Sequence, residues 1–492
     1  MRRAPAALLG ALAALLPLHP PPARAEEVPE EVKRKLVDPD PDVRAQGLKA
    51  LKGRVDEEAA KAVVALLDDR DPYCRDYACW TLFAHAEDPA AVKVLADKGP
   101  RSSTAAGRLA AADALAALSG KPVVAALLRL TQDRDPRTRE TAYDALGRLG
   151  SLADPATVAR LDTALLDAAP GPRAAALEAR VALKDPAAPA LLEKAATDPD
   201  PLIRTAAVAL LARADPARAA ALFDRFVGDA DWGVRISAAR AVPLLPDPPP
   251  IEALAALLED PRMRVSDVAH DALRQVSGLD LPPLKKDWLD WWTRTREHWH
   301  GRNRGTMRDA DRPTAAHWHG LPFRSDSLLF LVDLSGSMEQ PGGAVDARPR
   351  IAVAKEELAR TLNALPDRAS ADLMAFMLDP SRALGKLQPL GGGTRDRIIR
   401  WFGRQEGGRR GDMGGAIVAG LADPEADTLL LLGDGEPSAG DCLFRERILE
   451  RIRQGLRLRP KAIHCIAFGA KPQDRRFLEE IAARGGGLCI ER

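Results

Sequence analysis

The sequence predicts a two-part molecule: an all-α solenoid of stacked helix pairs, then a doubly wound, Rossmann-like α/β domain. Three observations carry this. An Asp-Pro phrase returns roughly every 31 residues through the first half. From Ser327 onward, short apolar runs alternate with helical periods. Only 4% of the 492 residues are aromatic while Ala and Leu dominate, which suits helices that pack closely.

The amino terminus reads as an export leader, residues 1–25. Arg2-Arg3 is a basic start, Ala4 to Leu18 a short apolar run, and Pro20-Pro21-Pro22 a break before Ala23-Arg24-Ala25, an A-x-A cleavage site. No cysteine stands where a lipid attachment would need one, and no later apolar run reaches membrane-spanning length. The mature protein is therefore expected to be soluble and exported, periplasmic or extracellular. The whole chain carries +1, and loss of the three leader arginines leaves roughly −2, so no global field favours nucleic acid or a membrane surface. Five cysteines make a poor disulfide framework. Cys465 and Cys489 lie in runs expected to be neighbouring strands, where a bridge competes with buried free thiols.

Residues 26–278 carry the repeats. The phrase appears at Asp38–Arg44, Asp69–Arg75, Asp133–Arg139, Asp198–Arg204 and Asp229–Arg235, with a looser copy at Asp260–Val265. Weaker copies near Gly107-Arg108 and Pro172-Arg173 fill the double-length gaps, giving about eight units. Asp caps a helix start, Pro fits its first turn, and the Ala-rich run that follows lets paired helices approach. Rows such as Val64, Leu66 and Leu67, or Leu254, Leu257 and Leu258, are expected to face the next unit, so that one continuous core forms only in the stack. Arg44, Arg75, Arg139, Arg204 and Arg235 are expected to pair with the repeating Asp in an internal ladder. From about Glu31 to Gly278 the pattern resembles HEAT repeats, whose concave face would offer a surface to a partner peptide.

Residues 279–326 form a Trp-rich docking segment. Trp288, Trp291 and Trp292 share one helix face, and Trp299 and Trp318 follow. They read as a hydrophobic clamp that caps the last repeat and docks the next domain. His298-Trp299-His300 and His317-Trp318-His319 supply four imidazoles, but i, i+2 histidines share a face only on a strand, so a transition metal is the minor reading. Arg302 to Arg312 is polar and reads as a loop.

Residues 327–492 make the α/β domain. Strands are expected at Leu328–Val332, Asp372–Met377, Thr428–Leu432, Ala462–Phe468 and Leu488–Ile490, with a weaker one through Arg382–Gln388. Helices are expected at Ile351–Ala364, Arg395–Phe402, Met413–Leu421, Leu443–Gln454 and Gln473–Ala483. Immediately after the first strand comes Asp333-Leu334-Ser335-Gly336-Ser337, a carboxylate and two hydroxyls at alternate positions. That oxygen-only donor set suits a hard divalent cation, and Gly336 lets the backbone curl around it.

This segment resembles the Asp-x-Ser-x-Ser metal-ion-dependent adhesion motif of von Willebrand factor A (vWA) domains. The resemblance implies a site built from three loops, with Mg²⁺ (or Ca²⁺ or Mn²⁺) held by Asp333, Ser335, Ser337, Asp434 and Asp412. In the second loop, Gly411 stands where the family has a coordinating Thr. Gly433 likewise replaces the Thr before Asp434 in the third. The missing Thr oxygen leaves water to fill its place, Asp412 to turn inward, and Arg410 to repel the cation or to pair with an incoming acid. Thr394 sits before a different helix, where capping explains it.

The implied function is a non-enzymatic interaction protein that binds an acidic side chain of a protein partner through the metal. The alternative is a metal-free scaffold that recognises its partner through the solenoid face. A remote alternative is a Mg²⁺-dependent phosphohydrolase with Asp333 as nucleophile, which would want an Asp where Ser335 stands. No Gly-x-Ser-x-Gly elbow and no Walker Gly-Lys-Ser/Thr ending is present.

Overall fold

The computed structural model describes residues 28–51, 56–85, 88–150, 153–299, 301, 316–341, 348–408, 410–440 and 442–492. The leader, His300, the Arg302–Arg312 loop, Arg409, Asp441 and part of the Glu339–Pro349 loop lie outside the described residues.

Eight helix pairs run from Glu30–Leu36 to Met263–Ser277. The repeat phrase is where each second helix begins, and its two aspartates divide the labour. The second of them is the N-cap: Asp40, Asp71, Asp135, Asp200 and Asp231 accept hydrogen bonds from the first turn, with Pro beside most of them. The first folds the preceding turn, as Asp69 accepts from the Asp71 N–H at 2.9 Å. It also receives the arginine of the unit before. Arg44 pairs with Asp69 at 2.6 Å, Arg108 with Asp133, Arg139 with Asp167, Arg173 with Asp198, Arg204 with Asp229 and Arg235 with Asp260. The same guanidinium donates to carbonyls of its own turn, as Arg204 does to Asp198 and Pro199. The expected ladder is therefore built at Arg44, Arg139, Arg204 and Arg235, and the weaker copies at Arg108 and Arg173 belong to it. Arg75 bonds the carbonyls of Asp69 and Arg70.

The last copy departs from the phrase, with Ser266 at the arginine place and Arg262 at the N-cap place. Arg262 reaches instead into the α/β domain, to the Ser327 hydroxyl at 2.7 Å and the Glu425 carbonyl at 3.0 Å.

The Trp-rich segment divides in two. Helix Lys285–Thr295 buries Trp288 and Trp292 on the end of the solenoid, with Trp291 and Trp299 packed beside them. The hairpin of β1 (Ala316–Trp318) and β2 (Leu321–Phe323) belongs to the other domain, where Trp318 meets Phe330 edge to face at 5.1 Å. The tryptophans thus cap each domain separately.

The α/β domain has strands β3 (Ser327–Asp333), β4 (Ser370–Phe376), β5 (Ser381–Arg382), β6 (Gln388–Pro389), β7 (Thr428–Gly433), β8 (Ala462–Ala467) and β9 (Cys489–Glu491). The order is β5-β4-β3-β7-β8-β9, parallel from β4 to β9, with β5 and β6 as short antiparallel pieces on β4. The expected weak strand through Arg382–Gln388 is those two fragments. Strand β3 is buried on both faces, which is why it reads as an unbroken apolar run. Leu328, Phe330 and Val332 face the helices Arg350–Ala364 and Thr394–Gly403; Leu329 and Leu331 face Met413–Ala422, Arg445–Leu458 and Pro472–Gly485. Thr394 is the first residue of its helix, and the N-cap is Gly393, so the capping role expected of Thr394 is not what it does. Cys465 and Cys489 are register partners on β8 and β9, and all five cysteines are free thiols. Among the described residues, no helix is long and apolar enough to cross a membrane.

Candidate functional site

The chain passes from β3 to β4 on one side, then returns to β7 on the other, so the strand order reverses between β3 and β7. That is where open α/β sheets bind ligands, beyond the carboxyl ends of the strands. The register sets Val332 opposite Leu432, and the strands therefore end together at Asp333 and Gly433, with Asp434 next. A Cβ on Gly433 would lie 3.1 Å from Asp333 Cβ, so glycine is what lets Asp333 stand there.

Asp333 is 1% exposed and Ser335 is 6% exposed. The Ser335 N–H donates to Asp333 Oδ1 at 2.7 Å, and the Ser335 and Ser337 hydroxyls are 2.9 Å apart. Burial pushes Asp333 up to about 7, the Ser335 amide opposes the rise, and the neighbouring Asp434 charge adds to it. No guanidinium or ammonium pairs with Asp333 among the described residues. Asp434 is half-buried and accepts from the Glu436 N–H at 3.0 Å in a tight turn. Asp333, Ser335, Ser337 and Asp434 thus lie together at the strand ends.

The second loop crosses directly above. The Gly408 N–H donates to the Leu334 carbonyl at 2.6 Å, and a Cβ on Gly411 would lie 3.0 Å from Asp333 Oδ1. A side chain at position 411 would therefore enter the site. Asp412 is directed elsewhere: it caps helix Met413–Ala422 by accepting from Gly415 N–H at 2.7 Å, and its carboxylate lies against Gly440. Among the described residues no three His, Cys, Asp or Glu side chains form a cluster able to hold a metal. What remains is two carboxylates and two hydroxyls, an all-oxygen set in which only Asp434 feels a nearby cation, the Lys471 ammonium; its chemistry fits a hard divalent ion. Ser438, unremarked in the sequence, accepts from Gly411 N–H at 2.8 Å and adds a hydroxyl beside the missing threonine. Arg410 is exposed on the rim. Of the four linker histidines, His319 is buried against Phe468 and held down to about 4 by that burial and by Arg492, whereas His317 is exposed.

The loop that leaves Asp434 leads into helix Arg445–Leu458, and this docking helix lies along the solenoid. Asp76 accepts from the Leu443 and Phe444 N–H groups at 2.7 and 2.9 Å, capping the helix from the other domain. Phe444 stacks on Trp80. Arg447 and Arg451 pair with Asp113, Arg453 with Asp144 and Glu178, and Arg457 with Glu140, Asp144 and Glu178. The solenoid face made by the second helices is here covered over five units by the chain's own helix. A signal for this exists in the sequence. Five residues after each ladder arginine the units read Lys49, Trp80, Asp113, Asp144, Glu178, Ala209 and Arg240. Three acids in consecutive units mark a face that receives cations.

Residues 30–104, 99–180 and 188–274 match the family model of HEAT repeats. No curated protein matches. Among solved structures, a von Willebrand factor type A protein from Catenulispora acidiphila is 20% identical over 35% of this chain, with a TM-score of 0.29, and the chain spans 40% of its length. Human deoxyhypusine hydroxylase is 22% identical over 49% of this chain and 93% of its own, with a TM-score of 0.22. An aerotolerance-related membrane protein from Bacteroides fragilis is 13% identical over 34% of this chain and 90% of its own, with a TM-score of 0.24.

Proposed function

From a chain whose residues 30–274 are HEAT repeats and whose carboxy-terminal part is a vWA-like α/β domain, we propose an exported interaction scaffold that binds a partner's acidic side chain through a divalent cation. The observation that carries this is the strand-end pair Asp333 and Asp434, the first buried with no cation paired to it among the described residues, beside two adjacent hydroxyls. Two carboxylates brought together in low dielectric cost free energy unless protons or a cation join them. Mg²⁺ would be held by Asp333, Ser335, Ser337 and Asp434, and would supply a Lewis-acidic position for a carboxylate oxygen. Asp412 would support the second loop through its helix cap. The rim would choose the partner through Arg410, Glu339 and the segment 437–440. No covalent step is needed, and Ser335, spent on Asp333 and Ser337, is poorly placed as the acid of a phosphohydrolase.

A metal-free scaffold is the second reading, favoured by the lack of an oxygen at Gly411; recognition would then fall to solenoid faces that the docking helix leaves open. Pull-down from an envelope extract, with and without Mg²⁺, separates the two. The metal reading expects EDTA and Asp333→Ala each to abolish capture. Capture that survives both would leave the solenoid as the recognition surface.

A further inference from the structure

At the seam between the last solenoid units and the α/β domain lies a cleft of about 390 Å³. It opens where the docking helix ends, at the point where the second-helix column passes from acids to Ala209 and Arg240. Arg213 and Arg240 line it from the solenoid and Arg484 from the α/β domain. Glu178 is the one acid on its wall, and it is already held by Arg453 and Arg457 at 2.7 Å each. Arg213 stands 3.9 Å from Glu178, too far for a hydrogen bond. Among the described residues Arg484 pairs with the exposed Glu480 of its own helix alone. Arg240 has no acidic partner among the described residues, and its guanidinium reaches to the Gly486 turn of the other domain. Its side chain is exposed to solvent at the cleft. Leu210, Leu244 and Leu456 give the rest of the wall an apolar character.

We propose that this cleft binds an organic oxyanion, a phosphate ester or carboxylate carrying a short apolar group, and that the bound anion ties the solenoid to the α/β domain. Guanidinium forks match the paired oxygens of both anion classes, and the leucine wall takes the apolar group. The site is independent of the strand-end pocket.

The test is calorimetric titration of the full chain with phenyl phosphate, benzoate, inorganic phosphate and the neutral benzyl alcohol. At least one aromatic anion is expected to bind more tightly than inorganic phosphate, and the stronger of the two identifies the headgroup. Arg240→Gln should weaken it about tenfold or more, the loss of charge-assisted hydrogen bonds. Arg213→Gln, a rim substitution that leaves packing intact, should weaken it in the same direction. The proposal fails if neither aromatic anion binds, if benzyl alcohol or inorganic phosphate binds as well, or if both variants bind unchanged.

Discussion

Arg457 joins the α/β domain to three acids of the solenoid. Its side chain is 6% exposed and donates to Asp144 at 2.6 Å, Glu178 at 2.7 Å and Glu140. Arg457→Met keeps most of the aliphatic stem and removes all three bonds. Asp144 retains Arg453 and Gln454, and Glu178 retains Arg453, so those carboxylates stay partnered. Glu140 has no other ion pair among the described residues and is left buried with only the more distant Arg451 charge to oppose its own. Removing one partner of a buried pair costs about 3–5 kcal/mol, and most of it should fall on Glu140. Arg457→Met should therefore loosen docking by about that amount, whereas adding Glu140→Gln should restore roughly half. Hydrogen exchange across residues 445–458, read beside denaturant melts of the intact chain, measures both. Unchanged exchange in Arg457→Met, or a double variant no better than the single, would refute this account of the interface.

The repeat ladder gives a pH signature. Hydrogen bonding and charge from Arg204 outweigh burial and hold Asp229 below the usual carboxylate range. A depressed folded pKa adds stability above the unfolded value, about 3.9, and loses it as pH falls through the folded one. Arg204→Met should cost about 2 kcal/mol at pH 7 and progressively less below about pH 4; a cost that grew on acidification would contradict the pairing. Gly411→Thr should raise Mg²⁺ affinity roughly tenfold, about 1.4 kcal/mol, yet lower the metal-free melting temperature, because its Cβ crowds Asp333. Melts with Mg²⁺ and with EDTA read both effects, and equal shifts in the two would count against a metal at this place. Thiol titration should find five groups after unfolding and identical melts with or without reductant.

Much of the fold was legible because its signals are local. Asp-Pro at a helix start and an unbroken apolar run in a buried strand act within a few residues, so the repeats, the strand runs and the place of Asp333 and Asp434 at strand ends could be read from the chain. At Asp412 the sequence could not choose, because a carboxylate at a helix start serves a cap as readily as a metal; the backbone path of the second loop sets it as the cap. Thr394 failed for a related reason: a glycine in left-handed conformation already occupies the cap.

The sequence by itself determined two cores, since each unit or strand has an apolar face that nothing nearby in the chain can cover. Tertiary structure alone decided how the two meet. The docking rests on acids and arginines some 300 residues apart, as Asp144 and Arg457 are. Such pairs have no period and no fixed spacing. Only when the solenoid stacks do Asp113, Asp144 and Glu178 fall into one column, and only then does the arginine face of residues 445–458 have a surface to answer.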